Sequence, residues 1–415
     1  MRAFHALALL LLAALLAPAG SSTAEERPAE KPKVRALTAF IKLDTTQYQE
    51  QIQQTLAFLR QAKGVYEQAG FEVQTIRITT QPFPEYIRGM APLDALHFFH
   101  QYDELATKEG FAASIGPAML KPGDNPQEAV LLSRILAPAT TITGSIVIAG
   151  EDGVHWDAVK MAAGMINFLA EHSPKSLANF RFAATALVPP GTPFYPASYH
   201  LDMDHKFSVG LQSANVVAEA MSATHDPAAA EQRIRETLGA YAQQIETLSN
   251  RVAEHANWGY MGIDLSPAPL KRVSIGGAIE SFTGGWMGSS GTVTAAAVIT
   301  RAIQSIPVTR IGYSGLMMPV LEDSVIAQRW SEGALSIDGL LAYSSVCGTG
   351  LDVVPLPGKI SAGQLERILA DVATLSVKLH KPLSARLLPV AGKDAGDKTE
   401  FADPFLVNAM IRPLP

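Results

Sequence analysis

The sequence is poor in charged residues and in cysteine. Of its 415 residues, 17% are charged and one, Cys347, is a cysteine. A scaffold held together by disulfides needs many cysteines, so that class is excluded. Intrinsic disorder combines low hydrophobicity with high net charge, whereas this chain is 47% hydrophobic and carries a formal net charge of −6. The same negative charge excludes a protein that binds nucleic acid through a basic surface.

The chain also lacks an apolar run long enough to span a membrane. Near its start, Arg2 precedes an apolar run over residues 6–16, which is shorter than the ~20 residues of a spanning helix. Small residues follow as far as Ala24. This order is typical of a secretory signal peptide. It predicts cleavage after Ala24, a polar leader over 25–33, a folded domain over 34–415, and a periplasmic or secreted product without a transmembrane segment.

Beyond the leader, apolar runs alternate with helical patterns. Such alternation indicates an α/β protein with a largely parallel sheet that is covered on both faces, and no stretch has the composition of an interdomain linker. We therefore predict one large domain. The predicted strands span residues 34–43, 71–80, 111–119, 143–149, 180–188, 207–216, 258–265, 309–320, 340–346 and 383–390. The predicted helices span residues 46–69, 91–108, 126–136, 156–171, 227–256, 274–281, 292–305 and 365–379.

Two segments place reactive groups at the ends of predicted strands. Asp264 ends an apolar strand, where parallel sheets bind ligands, or it bonds the amides of the proline-rich turn that follows. Cys347 precedes Gly348 and Gly350. A turn with exposed amides favours a thiolate, so Cys347 is a candidate nucleophile, with Asp352 as a possible orienting group. The alternative is a cysteine that is merely packed as a small hydrophobe.

Other candidate residues belong to binding loops. Gly288, Gly291 and Thr292 lead into an alanine-rich helix, whose start would bind a carboxylate or phosphate. The run matches neither nucleotide-binding glycine motif, so it identifies no cofactor. Ser314 lies in a run that nearly matches the nucleophile-elbow motif of hydrolases, G-x-S-x-G, but Leu316 occupies the position of the last glycine. Glu322 and Asp323 are interpreted as the cap and first turn of the next helix.

Two basic side chains complete the candidate site. His200 follows a stiff loop of prolines and aromatics and could act as an acid or base. The stretch from His200 to His205 alternates histidine and aspartate, but such loops are common on surfaces, and we predict no metal. Arg77 lies in an apolar strand, where it needs a partner if buried and could hold an anionic substrate.

Four motifs carry a family resemblance. They are residues 179–191, 262–266, 314–323 and 345–352, and their order and content resemble the domain of unknown function 711 family, also called the PFL-like family. The resemblance covers the chain from about Val34 onward. It implies a ten-stranded α/β barrel like that of pyruvate formate-lyase, with parallel halves laid antiparallel and a cysteine-bearing finger near Cys347. It implies no established activity.

The radical chemistry of the lyases does not transfer with the resemblance. Those enzymes carry a glycyl-radical motif near the C-terminus, which the ending from Phe405 to Met410 lacks. The signal peptide and the Trp286-Met287 pair also depart from the family pattern.

Three hypotheses of function follow. The first is a non-radical enzyme that acts on a small polar or anionic metabolite, using Cys347 with Asp264, Asp352 and His200, while Arg77, the glycine loop and Ser314 bind the substrate. The second is a periplasmic protein that binds or senses a small molecule without catalysis. The third is a structural partner of other proteins, which predicts a large apolar patch. The low charge content is compatible with a homo-oligomer.

Overall fold

Ten strands form one mixed sheet in the computed structural model, which describes residues 30–414. The predicted signal peptide and most of the predicted leader therefore lie outside the described residues. The strands are β1 (Lys33–Phe40), β2 (Ile76–Thr79), β3 (Ala112–Ala118), β4 (Ile142–Gly150), β5 (Gly153–Val154), β6 (Phe182–Ala186), β7 (Lys206–Gln212), β8 (Gly259–Asp264), β9 (Gly350–Pro357) and β10 (Leu383–Val390).

Helices alternate with these strands along the chain. They are α1 (Tyr48–Gln68), α2 (Phe83–Tyr86), α3 (Pro92–Glu109), α4 (Gln127–Leu136), α5 (Trp156–His172), α6 (Ala214–Ser222), α7 (Pro227–Ala256), α8 (Ile275–Thr283), α9 (Thr292–Gln304), α10 (Ser324–Glu332), α11 (Ile337–Ser344) and α12 (Ala362–Leu379), with a 3₁₀ segment at Pro174–Arg181. The chain from Lys31 onward forms one compact unit around one main hydrophobic core. The predicted α/β class and the single domain are confirmed.

The helix ends follow the local sequence. Asp226 caps α7, since its carboxylate accepts the amide of Ala229 at 2.7 Å, and Pro227 occupies the first turn, where no backbone donor is needed. Ser361 and Gln364 form a reciprocal capping box at the start of α12. The sequence of α7 and α12 therefore specifies where each helix begins.

The sheet consists of two sets of strands that run in opposite directions. Its order is β8-β7-β1-β2-β3-β4-β6-β10-β9, with β5 added to β4. The strands β1, β2, β3, β4 and β6 are mutually parallel, whereas β7 is antiparallel to β1 and β10 is antiparallel to β6. The strands β7 and β8 are parallel, as are β9 and β10. This agrees with the antiparallel halves that the family resemblance implies.

The two edge strands, β8 and β9, are joined by an irregular stretch of chain. We call residues 309–320 the bridging segment. It contacts β8 because Ile263 donates to the carbonyl of Thr309 at 2.8 Å and accepts from the amide of Ile311 at 3.1 Å. It contacts β9 because the amide of Val320 donates to the carbonyl of Asp352 at 2.9 Å. The bridging segment therefore spans the gap that separates the edges of the open sheet.

Two predicted strands are wrong. Residues 340–346 belong mostly to helix α11, which Ser336 caps by accepting the amide of Gly339 at 3.0 Å. Leucine and alanine favour a helix there, and the run lacks β-branched residues until Val346. Residues 309–320 form the irregular bridging segment instead of a regular strand. The strand β9 was not predicted, because Pro355 and Pro357 argue against a central strand but are tolerated at an edge.

None of the helices in residues 30–414 is both long enough and apolar enough to cross a membrane.

Candidate functional site

A cavity of about 460 Å³ opens where the two sets of strands meet. The first set, which consists of the mutually parallel strands β1, β2, β3, β4 and β6, contributes residues from the starts of its strands. The oppositely directed strands β7 and β8 contribute residues from their ends. This follows from the antiparallel arrangement, which brings the starts of one set beside the ends of the other. The lining residues at strand ends include Arg35, Arg77, Ala112, Thr141, Arg181, Leu211 and Asp264.

Four arginines line this cavity: Arg35, Arg77, Arg181 and Arg386. Two of them belong to a chain of buried ion pairs. Nε of Arg386 lies 2.5 Å from Oδ1 of Asp352, and its terminal nitrogen lies 2.8 Å from Oε1 of Glu322. The other oxygen of Glu322 lies 3.2 Å from Arg35. Burial disfavours a charged Arg386, but Asp352 and Glu322 outweigh it and raise the pKa of this guanidinium.

Arg77 lies in the same cavity, and no carboxylate of residues 30–414 pairs with it. Its Nε donates to Oγ1 of Thr75 at 3.1 Å and a terminal nitrogen donates to the carbonyl of Pro193 at 3.1 Å. Its guanidinium stacks over the ring of Tyr195 at 4.7 Å. Burial, together with the neighbouring charge of Arg35, lowers the pKa of Arg77 to about 10. Arg77 is half-buried, and a cation that is partly removed from water is stabilised by a nearby anion.

Arg181 resembles Arg77 in this respect. One terminal nitrogen donates to the carbonyl of Leu136 at 3.3 Å, whereas its Nε is buried without a hydrogen-bond partner. Burial lowers its pKa, and the charges of Asp103 and Asp403 oppose that shift. Across residues 30–414, no carboxylate oxygen lies within 4.0 Å of the guanidinium of Arg77 or of Arg181. Within the described part of the chain, the cavity therefore has two arginines without an ion pair.

Asp264 lines the cavity and also holds a turn in place. Its carboxylate accepts the hydroxyl of Ser266 at 2.6 Å and the amides of Ser266, Tyr313 and Ser314 at 3.0, 3.1 and 3.1 Å. Burial raises its pKa, and these hydrogen bonds oppose the rise. The two interpretations of Asp264 from the sequence are thus both compatible with the structure, since one side chain faces the cavity and bonds the turn.

Cys347 does not line the cavity. It lies in the turn between α11 and β9, is 1% exposed, and belongs to the main hydrophobic core. The amide of Cys347 donates to the carbonyl of Tyr343 at 2.8 Å, and the carbonyl of Cys347 accepts a hydrogen bond from the ammonium of Lys381. The structure therefore brings Arg77 and Asp264 together at the cavity and leaves Cys347 packed in the main hydrophobic core.

Asp352 and Ser314 each bond a residue that lines the cavity, namely Arg386 and Asp264. Asp352 is fully buried; its Oδ1 bonds Arg386, while its Oδ2 is buried without a partner. Ser314 donates its hydroxyl to the carbonyl of Ile311 at 3.0 Å and its amide to Asp264. Neither side chain lines the cavity itself.

The remaining predicted residues lie elsewhere. His200 is 1% exposed, its Nε2 lies 3.0 Å from the carbonyl oxygen of Asp204, and burial lowers its pKa. Thr292 accepts the amide of Gly288 at 3.0 Å, so its hydroxyl ties the glycine loop to the first turn of α9, which begins directly after Gly291. Within residues 30–414, no three His, Cys, Asp or Glu side chains are grouped so that they could hold a metal ion.

Sequence reasoning missed Arg35, Arg181, Glu322 and Arg386. A signal existed, since Arg35 and Arg386 interrupt apolar strands just as Arg77 does. The helix-cap interpretation of Glu322 is wrong, because its carboxylate pairs with two arginines. That of Asp323 is confirmed: its carboxylate accepts the amides of Val325 and Ile326 at 3.0 and 3.1 Å.

Comparison with known proteins identifies the family. The family described as Uncharacterised ACR (DUF711) matches residues 28–402. The chain belongs to this family. The resemblance found in the sequence is thereby confirmed, and the cavity arginines and Asp264 lie within the matched residues.

Similar proteins from several organisms align with most of the length of this DUF711 chain. A UPF0210 protein of Pyrobaculum aerophilum is 31% identical over 368 residues, which cover 84% of this chain and 81% of the relative. One of Actinobacillus succinogenes is 28% identical over 361 residues, covering 83% and 80%. Among solved structures, an anaerobic ribonucleotide reductase is similar with a TM-score of 0.43 and 9% identity, covering 91% of this chain and 76% of that one.

Proposed function

We propose that this protein binds a small organic anion in the cavity between its two sets of strands. The observation that carries the proposal is the pair of cavity arginines, Arg77 and Arg181, that have no carboxylate within 4.0 Å in the part of the chain described here. Removing a guanidinium from water is unfavourable unless an anion compensates it. An anionic ligand would supply that compensation.

The rest of the lining indicates an organic ligand instead of an inorganic ion. The rings of Phe180, Phe194, Tyr195 and Phe405 line the cavity beside the arginines. A volume of about 460 Å³ falls within the roughly 300–1,000 Å³ of small-molecule sites. Aromatic walls with a few placed charges suit a ligand that has an apolar or planar body and an acidic group.

The test is ligand-induced stabilisation of the purified protein. Benzoate, phenyl phosphate, suberate and inorganic phosphate are added separately, and the unfolding temperature is followed. We expect at least one organic anion to raise it, since a ligand at 100 times its Kd stabilises by about 2.7 kcal/mol. Arg77→Gln should abolish the rise. The matched control is Arg233→Gln, which removes an exposed guanidinium from α7 and should leave the rise intact.

Two results would contradict the proposal. One is that no organic anion raises the unfolding temperature of the unmodified protein. The other is that Arg77→Gln keeps the full rise.

Catalysis on the bound anion is a second candidate function. It is favoured by Asp264, a carboxylate that lines the cavity and whose pKa is raised by burial. The nucleophilic role of Cys347 stays a prediction. Turnover of each binding anion is followed by NMR in the unmodified protein, Asp264→Asn and Cys347→Ala. Asp264→Asn should bind without turnover; unchanged turnover in Cys347→Ala would eliminate the thiol.

A further inference from the structure

The two unpaired arginines occupy separate positions in the sheet. Arg77 lies on β2, and Arg181 immediately precedes β6. The strands β3 and β4 lie between them in the sheet order. Register pairs Arg77 with Ala112 and Gly144 with Phe182. Since neighbouring strands are about 4.8 Å apart, three spacings separate the two backbones by roughly 14 Å across the sheet.

The charged surroundings of the two arginines also differ. The groups that act electrostatically on Arg77 are Arg35, Tyr195, Glu322 and Arg386. Those that act on Arg181 belong to Asp103 and Asp403. The two guanidiniums are thus two cationic positions in one cavity, and a single carboxylate would compensate only one of them.

The cavity wall between these positions is neutral. The starts of β3 and β4 contribute Ala112, Thr141 and Thr143, and the ring of Phe111 adds an apolar surface. Arg35 and Arg386 do not change this pattern, because Glu322 and Asp352 already compensate them. Along the starts of β2, β3, β4 and β6 the cavity therefore presents a cation, an uncharged stretch and a second cation, while the carboxylates of Asp264 and Asp403 line it from other segments.

We propose that the ligand carries two oxyanionic groups separated by an uncharged body, one group held by Arg77 and the other by Arg181. This inference rests on the proposed function, because it assumes that the cavity binds an organic anion. Arginine forks bind carboxylate and phosphate with two parallel hydrogen bonds, so each end of the ligand would be held at a fixed orientation. The body would lie along the threonine and alanine wall.

The test compares diacids with analogues that lack one charge. The probes are terephthalate, suberate and 4-phosphonobenzoate, together with the monoamides of terephthalate and suberate, and Kd is measured by calorimetry. A diacid should bind about tenfold or more tightly than its monoamide, since a hydrogen-bonded charge contributes at least that much. In Arg77→Gln and in Arg181→Gln the diacid should lose this advantage and bind like its monoamide.

Two further variants keep the test decisive. Arg181→Lys retains a cation and should retain most of the preference for diacids, even if Arg181→Gln folds poorly. Arg233→Gln changes only an exposed arginine and should leave every Kd unchanged.

The possible failures are distinguishable. If monoamides bind the unmodified protein as tightly as diacids, the two-anion inference is overturned while anion binding stands. If neither diacids nor monoamides bind, the proposed function itself is overturned. If diacids are preferred but the preference persists in Arg181→Gln, Arg181 is not the second anchor.

Discussion

Arg77 and Arg386 share one cavity but play different physical parts. Arg386 bonds two buried carboxylates, those of Asp352 and Glu322. Arg77 bonds a threonine hydroxyl and a backbone carbonyl, and it stacks on Tyr195. The charge of Arg386 is therefore compensated within the protein, whereas the charge of Arg77 is available to a ligand.

This difference predicts opposite outcomes for two similar substitutions. Arg386→Met leaves the buried carboxylate of Asp352 without a partner and leaves Glu322 with Arg35 alone, so it should lower the free energy of unfolding by about 3–5 kcal/mol. Arg77→Met leaves no carboxylate behind and should change it by less than about 1 kcal/mol. Urea unfolding at pH 7 without ligand measures both. Equal losses would show that Arg77 is a structural arginine.

His200 provides a prediction about pH. Burial lowers its pKa in the folded protein, so between that value and the unfolded value of about 6.5 the unfolded chain binds more protons. Stability contributed by neutral His200 is thus present above pH 6.5 and is lost as the pH falls below it. The unfolding free energy of the unmodified protein relative to His200→Gln should decrease from pH 7.5 to pH 5.0, by up to about 1.4 kcal/mol per pH unit. A difference that does not change with pH would refute this.

The sequence allows some cavity residues to be predicted and hides others. Arg77 and Asp264 were predicted because a charge on an apolar strand needs a reason, and both line the cavity. The ion pairs of Arg386 could not be predicted, because Glu322 and Asp352 are distant in sequence and meet it only after the sheet forms. The glycines next to Cys347 predicted an exposed turn and a reactive thiol, but in the structure they allow close packing, and the thiol is buried.

At the scale of secondary structure, the same logic separates success from failure. Strands rich in β-branched residues, such as β4, and helices with caps, such as α7 and α12, lie near their predicted positions. Where the run is rich in leucine and alanine, as in α11, length and apolarity alone do not distinguish a strand from a helix. The prolines of β9 are compatible with a strand only because it is at the edge of the sheet, which the sequence alone does not specify.

The turn after α11, which contains Cys347 and Gly348, packs closely against the bridging segment, and a substitution at Gly348 tests this contact. A Cβ added to Gly348 would lie 2.9 Å from the carbonyl carbon and oxygen of Gly315 in the bridging segment, and both are backbone atoms that cannot rotate away. Gly348→Ala should therefore destabilise the fold by about 1–3 kcal/mol. The control is Gly164→Ala in α5, where a Cβ meets no atom within 4 Å; it should stabilise by about 0.5–1 kcal/mol. Thermal unfolding of both variants measures the effects, and a neutral Gly348→Ala would argue against close packing of the two loops.

For the molecule as a whole, the N-terminal pattern predicts processing. We propose that the chain is exported and cleaved after Ala24, because a basic residue, an apolar run and small residues follow one another there. When the protein is expressed in a bacterium with an intact secretion system, we expect to recover it from the periplasm. Its intact mass should equal that of a chain that begins at Glu25. Recovery of the full-length mass from the cytoplasm would contradict the proposal.

The bridging segment has a consequence for how copies of the molecule meet. An open sheet normally exposes unpaired amides and carbonyls along its two outer strands, and these recruit strands from neighbouring chains into aggregates. Here Ile263 on one outer strand and Asp352 on the other already bond the bridging segment. By occupying these backbone groups, the bridging segment opposes edge-to-edge association of two copies. Substitutions that detach the segment from β8 or β9 would favour aggregation through the same two strands.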